Sequence, residues 1–191
     1  TSVPAKTIKE LVALSKKTPG GLPFGSSGTG STQHLGGEWL KRNAGINFLH
    51  VPYKGAAPAT TDLLGGQIPT AILGLAPIIP HVKSGRIRGL AVTSAQRSAA
   101  APDIPTLHEA GIQFESTQWF GFLAPAGTPA EVIDRIQADV KRAAADAGVK
   151  EKLVVLGGDT TSSMPNEFAA FIRAENAKYA KVIKDAGIKA E

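Results

Sequence analysis

The sequence predicts an α/β domain with a largely parallel sheet, followed by a helix-rich C-terminal third. Three observations carry this. Up to residue 93, stretches of strand length alternate with stretches whose apolar residues recur at helical spacing, the order a parallel sheet with crossover helices requires. From residue 128 onward the pattern is helical only. The 21 Gly and 13 Pro among 191 residues divide the chain into many short elements joined by turns. That length suits one large domain or two small ones, enough to bury a core without staples.

Residues 7–17 read as a helix with Ile8, Leu11 and Leu14 on one stripe, stopped by Pro19, Gly20 and Gly21. Residues 22–25 form a short strand, a Gly/Ser loop follows, and a helix over residues 31–43 turns Leu35, Trp39 and Leu40 inward. Residues 46–51 alternate as a strand. Residues 58–64 form a short helix, with Pro58 near its first turn where a missing N–H costs nothing. A strand over 68–73 and a helical turn or two over 77–83, closed by Gly85, lead to a strand over 87–93 whose apolar run fits burial on both faces. Residues 98–105 are a Pro/Ala-rich surface loop, and Thr106 and Glu109 have capping-box spacing for a short helix. Residues 114–125 are extended; Trp119 and Phe120 within them read as core aromatics or as a cleft wall. Thr128 and Glu131 frame a second capping box, with Pro129 between them, and open a helix to Ala147 that Gly148 ends. A shorter helix over 150–156 stops at Gly157 and Gly158. The last helix, 165–186, carries Phe168, Phe171, Ile172, Tyr179, Val182 and Ile183 on its apolar stripe and ends at Gly187. The boundary between the two parts falls within 121–127.

Composition narrows the function. With 42 % hydrophobic and 19 % charged residues the chain is neither a disordered tail nor a coiled coil. The absence of Cys removes disulfide frameworks, Cys-based zinc sites and cysteine nucleophiles, and leaves the compartment open. A net charge of +5 is the balance of an anion binder or of a solvated basic surface. Lys and Arg are scattered and only 6 % of residues are aromatic, so no nucleic-acid patch is present. No run approaches the ~20 apolar residues of a membrane span. No signal peptide opens the chain, and a start at Thr1 suggests a mature or trimmed form.

The sharpest local feature is the loop Gly25, Ser26, Ser27, Gly28, Thr29, Gly30, Ser31 and Thr32, between a strand and a helix. Its backbone N–H groups and those of the helix start, aided by the helix dipole and the hydroxyls, favour a bound anion; the alternative is a tight turn that needs Gly for positive φ. Three named motifs resemble it and each lacks a required residue. A P-loop needs Lys where Ser31 stands, a dinucleotide fingerprint needs Gly where Gln33 stands, and a nucleophile elbow around Ser27 needs Gly where Thr29 stands. His34, His50, His81 and His108 form no metal-ligand pair; His50 and His81 read as packed or surface residues. No spacing selects a Ser/His/Asp triad, and Asp62 and Asp159 read as caps or solvated charges. Lys54 follows a strand, where ligands bind in open α/β sheets, and is either a carboxylate contact or an exposed loop lysine.

The runs FGSSGTGSTQHLGGEWL, HVPYKGAAPATTDLLGGQI, PHVKSGRIRGLAVTSAQRSAAAPDIPTLHEAGI and FGFLAPAGTPAEVIDRI occur in this order. Together they resemble the substrate-binding proteins of tripartite tricarboxylate transporters, also called Bug-type extracytoplasmic solute receptors. The resemblance implies a periplasmic-binding-protein-like fold (type II) with two hinged lobes: here one complete α/β lobe plus an incomplete helix-rich first lobe. It assigns residues 1–21 and 123–191 to the first lobe and 22–122 to the second. It implies a periplasmic, non-enzymatic receptor without a cofactor that captures a small carboxylate or related organic anion and delivers it to membrane permease subunits. The implied ligand contacts are Ser26, Ser27, Gly28, Thr29, Gly30, Ser31, Thr32, Lys54 and Gly74. Two departures accompany it. Relatives usually carry a further N-terminal segment with the first strand and a Gly-rich, Asp-containing ligand loop. After the strand ending near Ile72, many relatives place Asp and Asn or Ser, where Leu73 and Gly74 stand here; that loop still offers backbone N–H groups. Two other functions stay open at this point: a truncated, non-binding fragment acting only as an oligomerising or partner-binding module, with a homodimer through the incomplete lobe, and an α/β hydrolase-like enzyme of acyl or phosphoryl transfer.

Overall fold

The computed structural model describes residues 3–189; Thr1 and Glu191, the outer ends of the expected first lobe, lie outside them. A parallel sheet of three strands, β1 (Leu22–Ser26), β2 (Phe48–Pro52) and β3 (Thr70–Ala71), runs in the order β2-β1-β3. In the register Phe24 faces His50 on one side and Thr70 on the other. As the central strand, β1 is covered on both faces, and Phe24 is fully buried. Two glycines permit this. A Cβ on Gly37 of helix α2 (Thr32–Asn43) would lie 2.3 Å from the Phe24 ring, and one on Gly25 would lie 2.5 Å from Ile68 Cδ1. Their missing side chains let α2 and the chain leading into β3 close onto the strand.

Helix α1 (Ile8–Lys17) is capped by Thr7, whose Oγ1 accepts the Glu10 N–H at 3.2 Å. It buries Ile8 and Leu11 against Leu22, Phe24, Leu40, Ile46, Phe48, Leu107 and Phe114. Buried Ser15 ties α1 to the turn before β2: its Oγ donates to Val12 O at 2.9 Å and accepts the Asn47 N–H at 3.0 Å. Trp39 of α2 stacks on Phe114 at 4.0 Å. Helices α3 (Ala56–Gly65) and α4 (Leu75–Lys83) follow β2 and β3. Helices α5 (Ala130–Ala145), α6 (Ala147–Val155) and α7 (Pro165–Ala186) make the C-terminal third. Through Tyr179, α7 reaches Ser116 (hydroxyl to hydroxyl, 2.9 Å), and Lys178 Nζ donates to Glu115 O at 3.2 Å.

The α/β class and the parallel sheet agree with the sequence, but several elements differ. The strand expected over 87–93 is reduced to one bridge, Val92 with Thr106, because no neighbouring strand lies alongside it. The strand over 68–73 shrinks to Thr70 and Ala71. Thr106 and Glu109 do exchange both capping-box hydrogen bonds (2.7 and 3.1 Å), yet they close a turn and no helix follows. Thr128 does not cap α5, since its hydroxyl donates to Pro125 O at 2.9 Å. Asp146 splits the helix expected to reach Ala147: its side chain accepts the Val149 N–H at 2.9 Å and starts α6, so Gly148 lies inside α6. Trp119 and Phe120 are not core residues: they are 37 % and 89 % exposed, and Trp119 meets Phe168 and Phe171 edge-on at 5.6 and 5.3 Å.

Candidate functional site

Every strand of the sheet runs into a helix start at the same carboxyl edge. β1 leads through a loop into α2, β2 through Tyr53 and Lys54 into α3, and β3 into α4. Open parallel sheets place ligands there, because the helix N-termini expose unpaired N–H groups and the positive ends of their dipoles. Their capping residues are Ser31, Gly55 and Gly74; Ser31 Oγ accepts the His34 N–H at 3.2 Å, and neither glycine supplies a side-chain cap. None of the three has an acidic residue in its first turn. Helices α1, α5 and α7 carry Glu10, Glu131 and Glu167 in theirs, and α6, with none, is capped by Asp146. The edge therefore keeps a positive potential that acidic side chains would otherwise neutralise.

The loop after β1 is built by its own hydrogen bonds. Gly28 N–H donates to Ser26 Oγ at 3.1 Å, Gly30 N–H to His34 Nδ1 at 3.0 Å, and Ser31 N–H to Gly28 O at 3.2 Å. Gly55 N–H donates to Ser27 O at 3.1 Å and Tyr53 N–H to Ser26 O at 3.2 Å, tying the loop after β2 to it. Gly28 and Gly30 have φ of 134° and 77°, which only Gly adopts readily. Among the described residues, no protein acceptor takes the N–H of Ser27, Thr29, Thr32 or Gln33. These donors are open to an outside anion.

Behind the loop lies a polar cluster. Ser26 is fully buried, and its Oγ is 2.7 Å from His50 Nε2. The His50 ring stacks on His34, with centroids 3.7 Å apart and planes within 9°. Burial lowers both histidines below their ordinary value, His50 to about 4 with His34 adding to its shift; for His34, Glu38 works in the opposite direction. Both rings are neutral at pH 7. Tyr53 donates to Asp62 Oδ2 at 2.7 Å, and burial with that carboxylate pushes the phenol up to about 12. Asp62 is thus not a cap: it is half-buried and accepts the Tyr53 hydroxyl. Lys54 is exposed at the rim. The loop after α6 crosses the start of α4 so closely that a Cβ on Gly157 would lie 2.8 Å from Leu75 Cβ.

The nine residues singled out in the sequence all lie at this edge: Ser26 ends β1, Thr32 opens α2, and the other seven are on the loops that follow β1, β2 and β3. Thr29 and Gly30 are exposed, Ser27, Gly28, Ser31, Thr32 and Gly74 half-buried, and Ser26 is turned inward. Sequence reasoning missed the roles of His34, His50, Tyr53 and Asp62. The four-residue spacing from Gly30 to His34 was visible; the meeting of His50 with Ser26 depends on strand register. Among the described residues no cluster of three or more His, Asp or Glu could hold a metal ion, and no helix is long and apolar enough to cross a membrane.

The fold and this edge are those of a periplasmic-binding-protein lobe, and comparison with known proteins agrees. The model of the tripartite tricarboxylate transporter family receptor matches residues 1–188. The chain belongs to that family of solute receptors. It is 36 % identical over 184 residues to a UPF0065 protein of Bordetella bronchiseptica, covering 96 % of this chain and 54 % of that protein. Protein BugT of Bordetella pertussis is 32 % identical over 184 residues, with 96 % and 56 % covered. An R. palustris protein solved with adipate superposes with a TM-score of 0.82 at 33 % identity, covering 98 % of this chain and 63 % of that one. MatC from Rhodopseudomonas palustris with bound malate gives 0.75 at 25 % identity, with 94 % and 63 % covered. The chain thus spans about half the length of the curated relatives it matches.

Proposed function

We propose that this chain supplies the anion-binding lobe of a periplasmic solute receptor, which captures a small carboxylate and hands it to the permease subunits of a tripartite tricarboxylate-type transporter. The observation that carries this is the carboxyl edge of the sheet, where three helix starts capped by Ser or Gly converge without an acidic residue in their first turns. In this reading a carboxylate accepts hydrogen bonds from the open N–H groups of Ser27, Thr29 and Thr32 and from nearby hydroxyls. Ser26, Gly28 and Gly30 hold the loop in shape. Gly74 opens the α4 terminus toward the ligand, and Lys54 at the rim attracts it. Residues 22–122 form the second lobe, and residues 1–21 with 123–191 belong to the first. The solved neighbours named with adipate and malate support the ligand class, since both are dicarboxylates.

Titration calorimetry of the chain with adipate, malate and their neutral diamides tests this. Heat from the diacids and none from the diamides is expected. Silence toward both diacids overturns the ligand class. Lys54→Ala should weaken binding severalfold and flatten its salt dependence, because an exposed lysine acts through screened charge.

A second function is favoured by one observation. Phe120, Phe122 and Leu123 are 89 %, 78 % and 78 % exposed, in line with exposed Val155 and Leu156 among the large apolar side chains of the C-terminal third. Such a surface suits a protein partner or a second copy. Light scattering across a concentration series distinguishes the two functions: a monomer at all concentrations removes self-association.

A further inference from the structure

The β1–α2 loop is not shaped by glycines alone. Gly30 N–H points at His34 Nδ1, at 3.0 Å, across one turn. A backbone N–H only donates, so Nδ1 must be unprotonated and the ring must carry its proton on Nε2. His34 is itself fixed. It lies buried in the first turn of α2, its N–H is held by Ser31 Oγ at 3.2 Å, and its ring lies flat against His50. His50 is anchored in turn by Ser26 Oγ at 2.7 Å, the same oxygen that accepts the Gly28 N–H at 3.1 Å. Two loop glycines thus hang on two stacked neutral imidazoles, one directly and one through a serine.

We propose that His34, backed by His50, is the positioning residue that holds the β1–α2 loop in its carboxylate-accepting shape, by presenting an unprotonated Nδ1 to the Gly30 N–H. The inference rests on the carboxylate reading for its consequence in binding, but the latch itself exists in the free protein. Protonation of Nδ1 would set one N–H against another and release Gly30, turning the open N–H groups of Thr29 and its neighbours away from a common point. The groups that act on the pair are few. Glu38, one turn along α2, is buried, 4.0 Å from Lys41, and favours charge on His34. From β2, the His50 ring lies flat against His34, and a charge on His34 disfavours charge on His50. From β1 the nearest polar group is the uncharged Ser26 hydroxyl, and Tyr53 and Asp62 are paired with each other.

NMR of the ¹⁵N-labelled chain tests the latch without a ligand. The Gly30 amide proton should shift on acidification with the same midpoint as the His34 ring, below pH 6.5. His34→Phe keeps a ring against His50 but removes the acceptor; its Gly30 amide should lose the pH step and exchange about tenfold faster, one hydrogen bond's worth. His34→Gln offers an acceptor that does not titrate and should restore slow exchange without the pH step. A Gly30 amide indifferent to pH, or titrating alike in wild type and His34→Gln, overturns the proposal even if His34→Phe fails to fold. Malate titrations from pH 7 to pH 5 give the second arm. Affinity should fall about tenfold further in wild type than in His34→Gln, protonation of malate being common to both. Equal losses overturn the functional role of the latch. Absence of malate and adipate binding at pH 7 overturns the carboxylate reading, and the amide titration still decides the latch.

Discussion

His50 shows what one side chain does to this lobe. Burial holds its ring near 4, whereas an unfolded chain titrates it near 6.5. Between those values the unfolded chain binds more protons than the folded one, so stability rises with pH. Stability contributed by the neutral ring is complete above about pH 6.5, is lost as pH falls toward about 4, and changes no further below it. Urea unfolding at a series of pH values should show this decline, and His50→Gln should make it shallower. Residue chemistry was partly legible in the sequence. The Gly and Ser positions marked the loop after β1 as the candidate site because they are contiguous. Asp62 was not legible as the partner of Tyr53, since nine residues and a helix start separate them.

The three helix starts at the carboxyl edge lack the first-turn acid that α1, α5 and α7 carry, and that difference is open to substitution. Ala57 is exposed in the first turn of α3. Ala57→Glu should raise stability by about 0.3–1 kcal/mol, since a carboxylate at a helix N-terminus is favourable. The same charge should repel a bound diacid and lower its affinity. Thermal melts and calorimetry together check the opposite signs; a loss of both would indicate plain disruption. The ends of the last helix were the best read. Pro165 starts α7 and Gly187, at φ 65°, ends it where the sequence puts both, because caps act through residues next to one another. Strands were overestimated, and the run over 87–93 found one bridge because extended backbone is stabilised by a neighbour that the run cannot supply.

The whole molecule is unevenly stabilised. The core gathers α1, β1, α2 and β2 around Phe24 and Ile46, with Leu107 and Phe114 closing it. Helices α5 and α6 bury no residue. Local opening costs least where few apolar contacts must break. Hydrogen exchange followed by mass spectrometry should therefore show the amides of β1 exchanging slowest and those of α5 and α6 orders of magnitude faster. Protection of α5 equal to that of β1 would mean that its apolar face is covered in solution, by a partner or a second copy.

Local chemistry written along the chain determined most element types, the ends of the last helix, the Gly/Ser turn after β1 and the family. These depend on residues within a turn or two of each other, so one chain read in order contains them. The stacked histidines behind the loop, the Tyr53–Asp62 pair, the shortened strands and the exposure of Trp119 and Phe120 were decided by tertiary structure. Register, burial and the desolvation that keeps an imidazole neutral all belong to neighbours distant in sequence, and they come into being only when the sheet and its helices close.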